Sequence, residues 1–300
     1  VYGEDVGYEG GVFRATAGLQ KKYGEQRVFD TPIAEAAVVG SAIGMAINGL
    51  KPVVEMQFSG FAYPALNQII SHVSRIHNRS RGKYSVPMVI RMPYGGGINA
   101  LEHHSESMEA FYAHTPGLKV VIPSTPYDAK GLLISAIETD DPIIFMEPKR
   151  IYRAIKQEVP EEKFSIPIGK AKVVNEGKDV TVIAYGAMVR EVQKAIVMAK
   201  NDNISVELID LRTIYPIDRE TISKSLRKTG RLVVVAEAPT SFGIGAELSA
   251  IAMEEAFLYL EAPVNRVGGF DTIVPLPKGE HFYMHTPEKI YYEILKTVKF

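Results

Sequence analysis

A single carboxylate, Glu35, opens a long apolar stretch of the sequence, "TPIAEAAVVGSAIGMAI". No further charged residue follows until this stretch has ended. A carboxylate without a partner in apolar surroundings costs free energy, so its presence there calls for an explanation. We interpret Glu35 as an acid in a dry site, where it can share a proton with a bound ligand.

A structural explanation of Glu35 is also open. In this explanation Thr31 caps a helix, Pro32 takes the first helical position, and an acid in the first turn interacts favourably with the helix dipole. Two details disagree with it. The acid of a capping box would stand at Ala34, and a surface acid would have polar neighbours, whereas those of Glu35 are apolar. The residues alone leave both explanations open.

A second group of reactive side chains follows three glycines, Gly95–Gly97, in "PYGGGINALEHHSES". Loops of this kind often display catalytic side chains, and histidine titrates near neutral pH. We therefore favour a catalytic role for the cluster around His103 and His104 over the plainer interpretation of solvated side chains. Adjacent histidines point in different directions on most backbones, and neither an HExxH pattern nor a calcium loop is present, so we predict no metal site in this chain.

The glycine-rich turns give weaker signals. In "FGIGAEL", Leu248 stands where a dinucleotide-binding fingerprint has its third glycine, after Gly243 and Gly245. An ordinary tight turn is favoured there, with an anion site as the less favoured alternative. The loop at Gly95–Gly97 lacks the lysine of a phosphate-binding P-loop.

The elements that must position these groups alternate between short β-branched runs and longer amphipathic ones. This alternation predicts a largely parallel sheet covered by helices on both faces, the α/β class. Charges and prolines interrupt it between Ile155 and Pro167, which predicts a linker. We therefore predict two domains, 1–154 and 168–300, with the linker over 155–167. The predicted strands of the first domain include "KPVVEMQF", "VPMVIRM", "LKVVIP" and "PIIFMEP", and its predicted helices include "FAYPALNQIISHVSRIH" and "PYDAKGLLISAIE".

Composition limits the classes of function. Of 300 residues, 46% are hydrophobic and 23% charged, as in globular proteins. The 34 basic and 35 acidic residues nearly balance, which argues against a nucleic acid or a membrane surface as main partner. The absence of cysteine excludes disulfides and thiolate chemistry and suits a reducing compartment. We expect the cytoplasm, and the mitochondrial matrix stays open because a targeting peptide can precede Val1.

Ordered motifs then run along essentially the whole chain. They include "VYGEDVG", "RVFDTPIAEAAVVG", "GGGINALEHHSESMEAF", "DPIIFMEPKRIYR", "VELIDLRTIYPID" and "VVVAEAPTSFGIGAEL". Together they resemble the β subunits of the thiamine-diphosphate-dependent 2-oxoacid dehydrogenases, the decarboxylating first component of the pyruvate and branched-chain complexes. The resemblance implies a parallel-sheet domain that binds the pyrimidine of thiamine diphosphate, followed by an α/β domain like the C-terminal domain of transketolase.

The resemblance implies a role for Glu35. In this family the acid of "TPIAE" bonds a ring nitrogen of the cofactor's aminopyrimidine and so helps to generate the reactive carbon of the thiazolium ring. That carbon attacks the keto carbon of a 2-oxoacid, and the thiazolium accepts the electrons released with carbon dioxide. An acid in apolar surroundings suits such a proton exchange.

Four further residues are assigned by the same resemblance. Phe61 matches the aromatic that packs on the aminopyrimidine, with ordinary core packing as its alternative. Gln57 and Ile33 match positions around the same ring. His104 matches the histidine placed near the thiazolium and the incoming lipoyl group, and the preceding histidine is given no role.

One expected motif is absent from the chain. Thiamine enzymes hold the diphosphate through Mg²⁺, which a "GDG" motif and a later asparagine bind, and this sequence contains no "GDG". The resemblance therefore implies that an α subunit supplies the magnesium ligands in an α2β2 heterotetramer.

The implied function is oxidative decarboxylation of pyruvate or a branched-chain 2-oxoacid, with acyl transfer to a lipoyl domain of a dihydrolipoyl acyltransferase core. Two alternatives stay open: a split transketolase-like thiamine enzyme and a non-catalytic assembly subunit. The sequence identifies neither the 2-oxoacid nor a bound monovalent cation.

Overall fold

The computed structural model describes all residues from Val1 to Phe300 and contains two β-sheets flanked by helices. The larger sheet has seven strands, of which six come from the first half of the chain. These six strands are β1 (Tyr2–Gly3), β2 (Phe29–Asp30), β3 (Val53–Glu55), β4 (Val89–Tyr94), β5 (Lys119–Val121) and β6 (Ile143–Pro148).

All six run parallel, in the spatial order β5-β6-β4-β3-β1-β2. Their central members are buried along their whole length, as expected for parallel strands that helices cover on both faces. The helices of this half are α1 (Leu19–Tyr23), α2 (Glu35–Ile47), α3 (Leu66–Gln68), α4 (Ile76–Arg79), α5 (Glu109–Ala113) and α6 (Pro126–Glu138).

The second half of the chain forms the smaller sheet. The strands of this half are β7 (Lys172–Asn175), β8 (Val180–Ala184), β9 (Val206–Asp210), β10 (Thr213–Tyr215), β11 (Leu232–Pro239) and β12 (Asn265–Gly269). Five of them form a sheet in the order β12-β11-β8-β9-β7, in which only β7 is antiparallel. Its helices are α7 (Ala187–Asn201), α8 (Arg219–Thr229), α9 (Ile244–Ala256), α10 (Pro277–Tyr283) and α11 (Pro287–Val298).

Strand β10 belongs to the second half of the chain but forms the seventh strand of the larger sheet. It pairs antiparallel with β5, with Thr213 opposite Val121. The adjoining Ile122 donates its backbone N–H to Arg212 O at 2.8 Å, and the Arg212 side chain donates to Asp128 on α6 at 2.5 Å. The two halves therefore share an edge strand.

The apolar core is also shared. A cluster of 39 buried residues runs from Val54 and Ile90 in the larger sheet to Ile209 and Leu248 in the second half. Burial of this kind is the main favourable term in folding. The structure thus confirms the predicted α/β class, with a parallel sheet in each half.

Between the two halves, residues 155–167 contain no helix and no strand. The predicted linker falls on this segment, and the domain bounds themselves stay a prediction. None of the helices is both long enough and apolar enough to cross a bilayer.

One alternative explanation and one predicted helix differ from the structure. Helix α2 begins at Glu35 rather than at Pro32, because Ala34 has φ −158° and cannot be helical, and the Thr31 hydroxyl caps nothing. The predicted helix over "FAYPALNQIISHVSRIH" is broken into a 3₁₀ turn at Ser59–Ala65, α3, a π turn at Ile69–Val73, and α4. Pro64, which has no N–H to donate, lies in the first of these pieces.

Candidate active site

The candidate residues follow the carboxyl ends of neighbouring parallel strands. Glu35 comes after β2, Gln57 and Phe61 after β3, and the loop to His104 after β4. These three strands lie within the run β4-β3-β1-β2 of the larger sheet. Because parallel α/β sheets bind ligands at this edge, the side chains occupy the place where the fold builds a site.

Glu35 begins helix α2 and is half-buried. Another acid lies beside it: Glu4, which follows β1 directly and is 9% exposed. Burial is the largest cause that raises the pKa of Glu4, and the charges of Glu35 and Asp5 raise it further. Since like charges disfavour one another, Glu4 holds a proton more readily than an isolated carboxylate does.

Phe61 and His104 pack against each other edge to face, with 5.0 Å between ring centroids. A third ring, that of Phe58, lies 5.3 Å from Phe61 and 4.5 Å from His104. His103 stacks on Tyr63, with 5.5 Å between ring centroids, and its ring also lies 5.7 Å from that of Phe61. The structure therefore brings two predicted site residues, Phe61 and His104, together, and the ring of His103 packs near the same phenylalanine.

The imidazole of His104 has an unused hydrogen-bonding atom. Its Nδ1 is buried and has no hydrogen-bond partner within the chain. The pKa of His104 is lowered, first by burial, then by the positive charge of Lys149 and by His103. At neutral pH the ring is therefore neutral and has a nitrogen available for a ligand.

Lys149 follows β6 and is only 3% exposed, yet its Nζ has no hydrogen-bond partner. Burial lowers its pKa to about 8, against the opposing effect of Glu237 and Glu280. Its Nζ lies 6.0 Å from the centre of the Phe58 ring. A buried cation thus lies next to the Phe58 ring of the aromatic cluster.

The remaining two predicted residues lie in different settings. Gln57 is half-buried and donates from Nε2 to Asp5 Oδ2 at 2.7 Å, which connects the ends of β1 and β3. Ile33 is 82% exposed, so no part of this chain covers it. The expectation of a dry environment around Glu35 is accordingly not met by this chain alone.

Comparison with known proteins bears on what this edge of the sheet does. Residues 1–155 match the family described as the transketolase pyrimidine binding domain, and residues 169–290 match the transketolase C-terminal domain. The chain is 62% identical over 299 residues to the pyruvate dehydrogenase E1 component subunit beta of Acholeplasma laidlawii, an alignment that covers 100% of this chain and 91% of that protein. The chain belongs to this E1 β family.

Other E1 β proteins agree with this assignment. That of Mycoplasma pneumoniae is 52% identical over 97% of this chain and 89% of its own, and that of Staphylococcus aureus is 49% identical over 100% and 92%. Among solved structures, a split-gene transketolase described as an inactive β4 tetramer superposes with a TM-score of 0.81 at 23% identity, covering 100% of this chain and 92% of its own. That likeness shows a shared fold. The resemblance and the fold class predicted from the motifs are confirmed.

The fold family implies thiamine diphosphate, and the residues present fit the pyrimidine half of that cofactor. An aminopyrimidine is flat, so it suits the half-buried ring of Phe61, and its nitrogens need polar partners. The buried and unpartnered Nδ1 of His104 and the half-buried carboxylate of Glu35 can serve a ligand without losing a bond inside the chain. No group of three or more His, Cys, Asp or Glu side chains is arranged to hold a metal ion.

Three residues of the candidate site in this E1 β chain were not predicted from the sequence: Glu4, Phe58 and Lys149. Glu4 and Lys149 each follow a strand immediately, so a charged side chain directly after a buried strand was an available signal. Phe58 offered no such signal, because one phenylalanine near others in "QFSGF" is typical of ordinary core.

Proposed function

We propose that the chain is the β subunit of a pyruvate dehydrogenase E1 component, which carries out thiamine-diphosphate-dependent oxidative decarboxylation of a 2-oxoacid. The observation that carries this proposal is the position of Glu35, Phe61 and His104 beyond neighbouring carboxyl strand ends, in a chain 62% identical to a protein of that name. Pyruvate is the proposed substrate. The branched-chain 2-oxoacids, which the sequence left open, are a comparison in the test.

Glu35 would bond the pyrimidine ring nitrogen and exchange a proton with it, and Phe61 would pack on the ring. Bound thiamine diphosphate would supply a nucleophilic carbon and an electron sink for the loss of carbon dioxide. Gln57, held by Asp5, and Ile33, which is exposed, would line the pyrimidine pocket. The neighbouring acid Glu4, whose pKa is raised by burial and by the charge of Glu35, is a second proton-holding group beside it.

His104 would serve the second half of the reaction, acyl transfer to a lipoyl group. Its free Nδ1 and its pKa, lowered by burial and by Lys149, make it a stronger acid when protonated than an ordinary histidine. Protonation of a departing sulfur is a task for such a group. The acceptor in this proposal is the lipoyl domain of a dihydrolipoyl acyltransferase core.

A second chain would complete the site. Large apolar side chains are exposed near the candidate residues, with 82% of Ile33, 86% of Tyr8 and 58% of Leu101 accessible. Exposed apolar surface of this kind is typical of a subunit contact. We propose that an α subunit covers it in an α2β2 heterotetramer and holds the diphosphate and Mg²⁺. The cytoplasmic location stays a prediction.

The test is to isolate the complex formed by the full-length tagged chain in its source organism and to assay it with thiamine diphosphate and Mg²⁺. Reduction of an artificial electron acceptor is measured with pyruvate and with 3-methyl-2-oxobutanoate, and ketol transfer from a ketose phosphate to an aldose is measured separately from the sugar products formed. We expect activity with pyruvate that requires both chains. Ketol transfer without 2-oxoacid oxidation would overturn the proposal in favour of a split transketolase, and full activity of the partner alone would favour an assembly subunit.

A further inference from the structure

The loop that carries His104 has little structure of its own. It runs from the end of β4 to a single 3₁₀ turn at Glu102–His104. Its base is closed by the Gly95 N–H, which donates to Glu106 O at 2.9 Å, and by Ser59 Oγ, which donates to the same oxygen at 2.7 Å. Between these points Gly95 and Gly97 have φ of +82° and +85°, so the backbone there depends on outside contacts to keep one conformation.

Those contacts come from two carboxylates of the second domain. Gly97 N–H donates to Glu280 Oε1 at 2.6 Å, and Asn99 N–H donates to Oε2 of the same side chain at 2.7 Å. Gly96 N–H donates to Glu237 Oε1. Hydrogen bonds to a charged acceptor are about twice as strong as neutral ones, so three such bonds fix the loop firmly.

Both carboxylates are buried from solvent. Glu237, near the end of β11, is 6% exposed and Glu280, on α10, is 2% exposed. A Cβ placed on Gly95 would lie 2.6 Å from Glu237 Oε1, so a side chain there would displace the acid. Burial raises the pKa of Glu237, against the opposing effects of the Gly96 N–H and of the nearby cations Lys149 and Arg150. Out of water, the hydrogen bonds between these side chains and the loop are stronger than they would be at the surface.

We propose that Glu280 is a positioning residue for His104. Through the N–H groups of Gly97 and Asn99, the second domain fixes the glycine loop and with it the place of the imidazole beside Phe61. This inference rests on the proposed function for its effect on catalysis, but its structural part can be tested without any activity. It assigns the second domain a direct part in the site built on the first.

Glu280→Gln tests the inference in the full-length chain and in the assembled complex. An amide has one acceptor oxygen, so one of the two bonds is lost and an N–H₂ group faces an N–H donor. Hydrogen–deuterium exchange of the backbone over 95–104 should become about tenfold faster. The exchange rate of the C2 hydrogen of His104, measured by mass spectrometry, should also differ from that in the wild-type chain. In the complex, acyl transfer to a lipoyl domain should fall roughly 10- to 100-fold more than decarboxylation, because misplacement of a reacting group has effects of this size.

Glu247→Gln is the matched control, since Glu247 is an exposed glutamate of the same domain on α9. If Glu280→Gln fails to fold, Glu280→Asp keeps both oxygens and the charge but withdraws them by one methylene, and the same readouts apply. Unchanged loop exchange, or a faster loop with unchanged C2 exchange at His104, would overturn the inference. If the wild-type complex shows no 2-oxoacid activity, the proposed function fails, while the two exchange measurements still decide the positioning role.

Discussion

The imidazole of His104 meets the ring of Phe58 edge to face, with 4.5 Å between their centroids, and Lys149 lies on the same aromatic ring at 6.0 Å. One phenylalanine therefore has both a buried cation and the candidate proton donor as neighbours. The charge of Lys149 lowers the pKa of His104, after the larger effect of burial. The position of each partner has consequences that can be measured.

His104→Ala should separate the two halves of the proposed reaction. Decarboxylation with an artificial electron acceptor needs no proton delivered to sulfur, so much of this activity should stay. Reductive acylation of a lipoyl domain needs that proton and should fall by a further factor on the order of 10². Both rates are measured in the same complex, with His114→Ala, an exposed histidine after α5, as control. Equal losses in the two assays would exclude a proton-donor role for His104.

Lys149→Met should raise the pKa of His104. The cation is the second cause, after burial, that lowers this pKa, and methionine keeps the length and apolar stem of the side chain without its charge. The pH profile of acyl transfer should shift to higher pH, because a larger fraction of the imidazole is then protonated at any given pH. The pKa is measured from the pH dependence of C2 exchange at His104. Lys200→Met, at an exposed position on α7, should leave it unchanged, and an equal shift in both variants would contradict the argument.

Glu35→Gln should keep the fold and lose most of the decarboxylase activity. The amide has nearly the same volume but cannot exchange the proton, and contributions of this kind are typically about 10²- to 10⁴-fold. Turnover with saturating pyruvate and thermal unfolding are measured in the assembled complex. Glu25→Gln, an exposed acid in a loop, is the control. Normal turnover in Glu35→Gln would return the residue to its helix-dipole explanation.

Arg91→Met should destabilise the first domain. Arg91 is 6% exposed on β4 and donates to both oxygens of Glu147 on β6, at 2.8 and 2.6 Å, while Glu55 on β3 contacts its other nitrogen. Removing one partner leaves buried carboxylates unpaired, at a cost of about 3–5 kcal/mol in the free energy of unfolding. Urea unfolding of the full-length chain measures it, with the exposed Arg153→Met as control. A loss no larger than that of the control would show that the pair contributes little.

Glu109→Gln should flatten the pH dependence of stability. Glu109 on α5 is fully buried, accepts from the Tyr185 hydroxyl at 2.7 Å, and has a pKa raised by burial from 4.5 to about 7. Between these two values the folded chain holds a proton that the unfolded chain has lost, so stability falls as the pH rises through this window. Glutamine still accepts from Tyr185 and does not titrate, so the fall should shrink by up to about 3 kcal/mol.

Urea unfolding at several pH values between those limits gives the comparison of Glu109→Gln with the wild type. Part of the fall should stay in the variant, because burial also raises the pKa of Asp210 to about 7. An unchanged slope would mean that Glu109 is ionised throughout in the folded chain.

The sequence predicts the elements of this protein better than the surroundings of its site. Alternating runs located helix α6 at Pro126–Glu138 because its cap, its first-turn proline and its apolar spacing all agree locally. The alternative in which Thr31 caps α2 and Pro32 begins it does not hold, since the extended backbone of Ala34 depends on tertiary context. Exposure of Ile33 could not be predicted either, because an apolar residue that serves a contact between chains has the same pattern as one that serves the core.

The contacts that fix the site were equally hidden. Glu280 lies far from Gly97 in sequence, and no local pattern joins an acid on α10 to the backbone of a loop in the other domain. His104 was assigned through resemblance, but its neighbours Phe58 and Lys149 follow from the packing of β3, β4 and β6.

The shared strand β10 has a consequence for the order in which a nascent chain can fold. While the ribosome has made only the first half, β5 is an open edge, and its unpaired N–H and C=O groups can pair with a strand of another molecule. Strand β5 gains its second neighbour only after Thr213–Tyr215 has left the exit tunnel and paired with it at Val121, and the short β10 is then the edge strand. In a fragment that ends before β9, the edge of β5 would stay unpaired. Chaperone binding and aggregation of the nascent chain should therefore both decrease at the point in synthesis where β10 emerges.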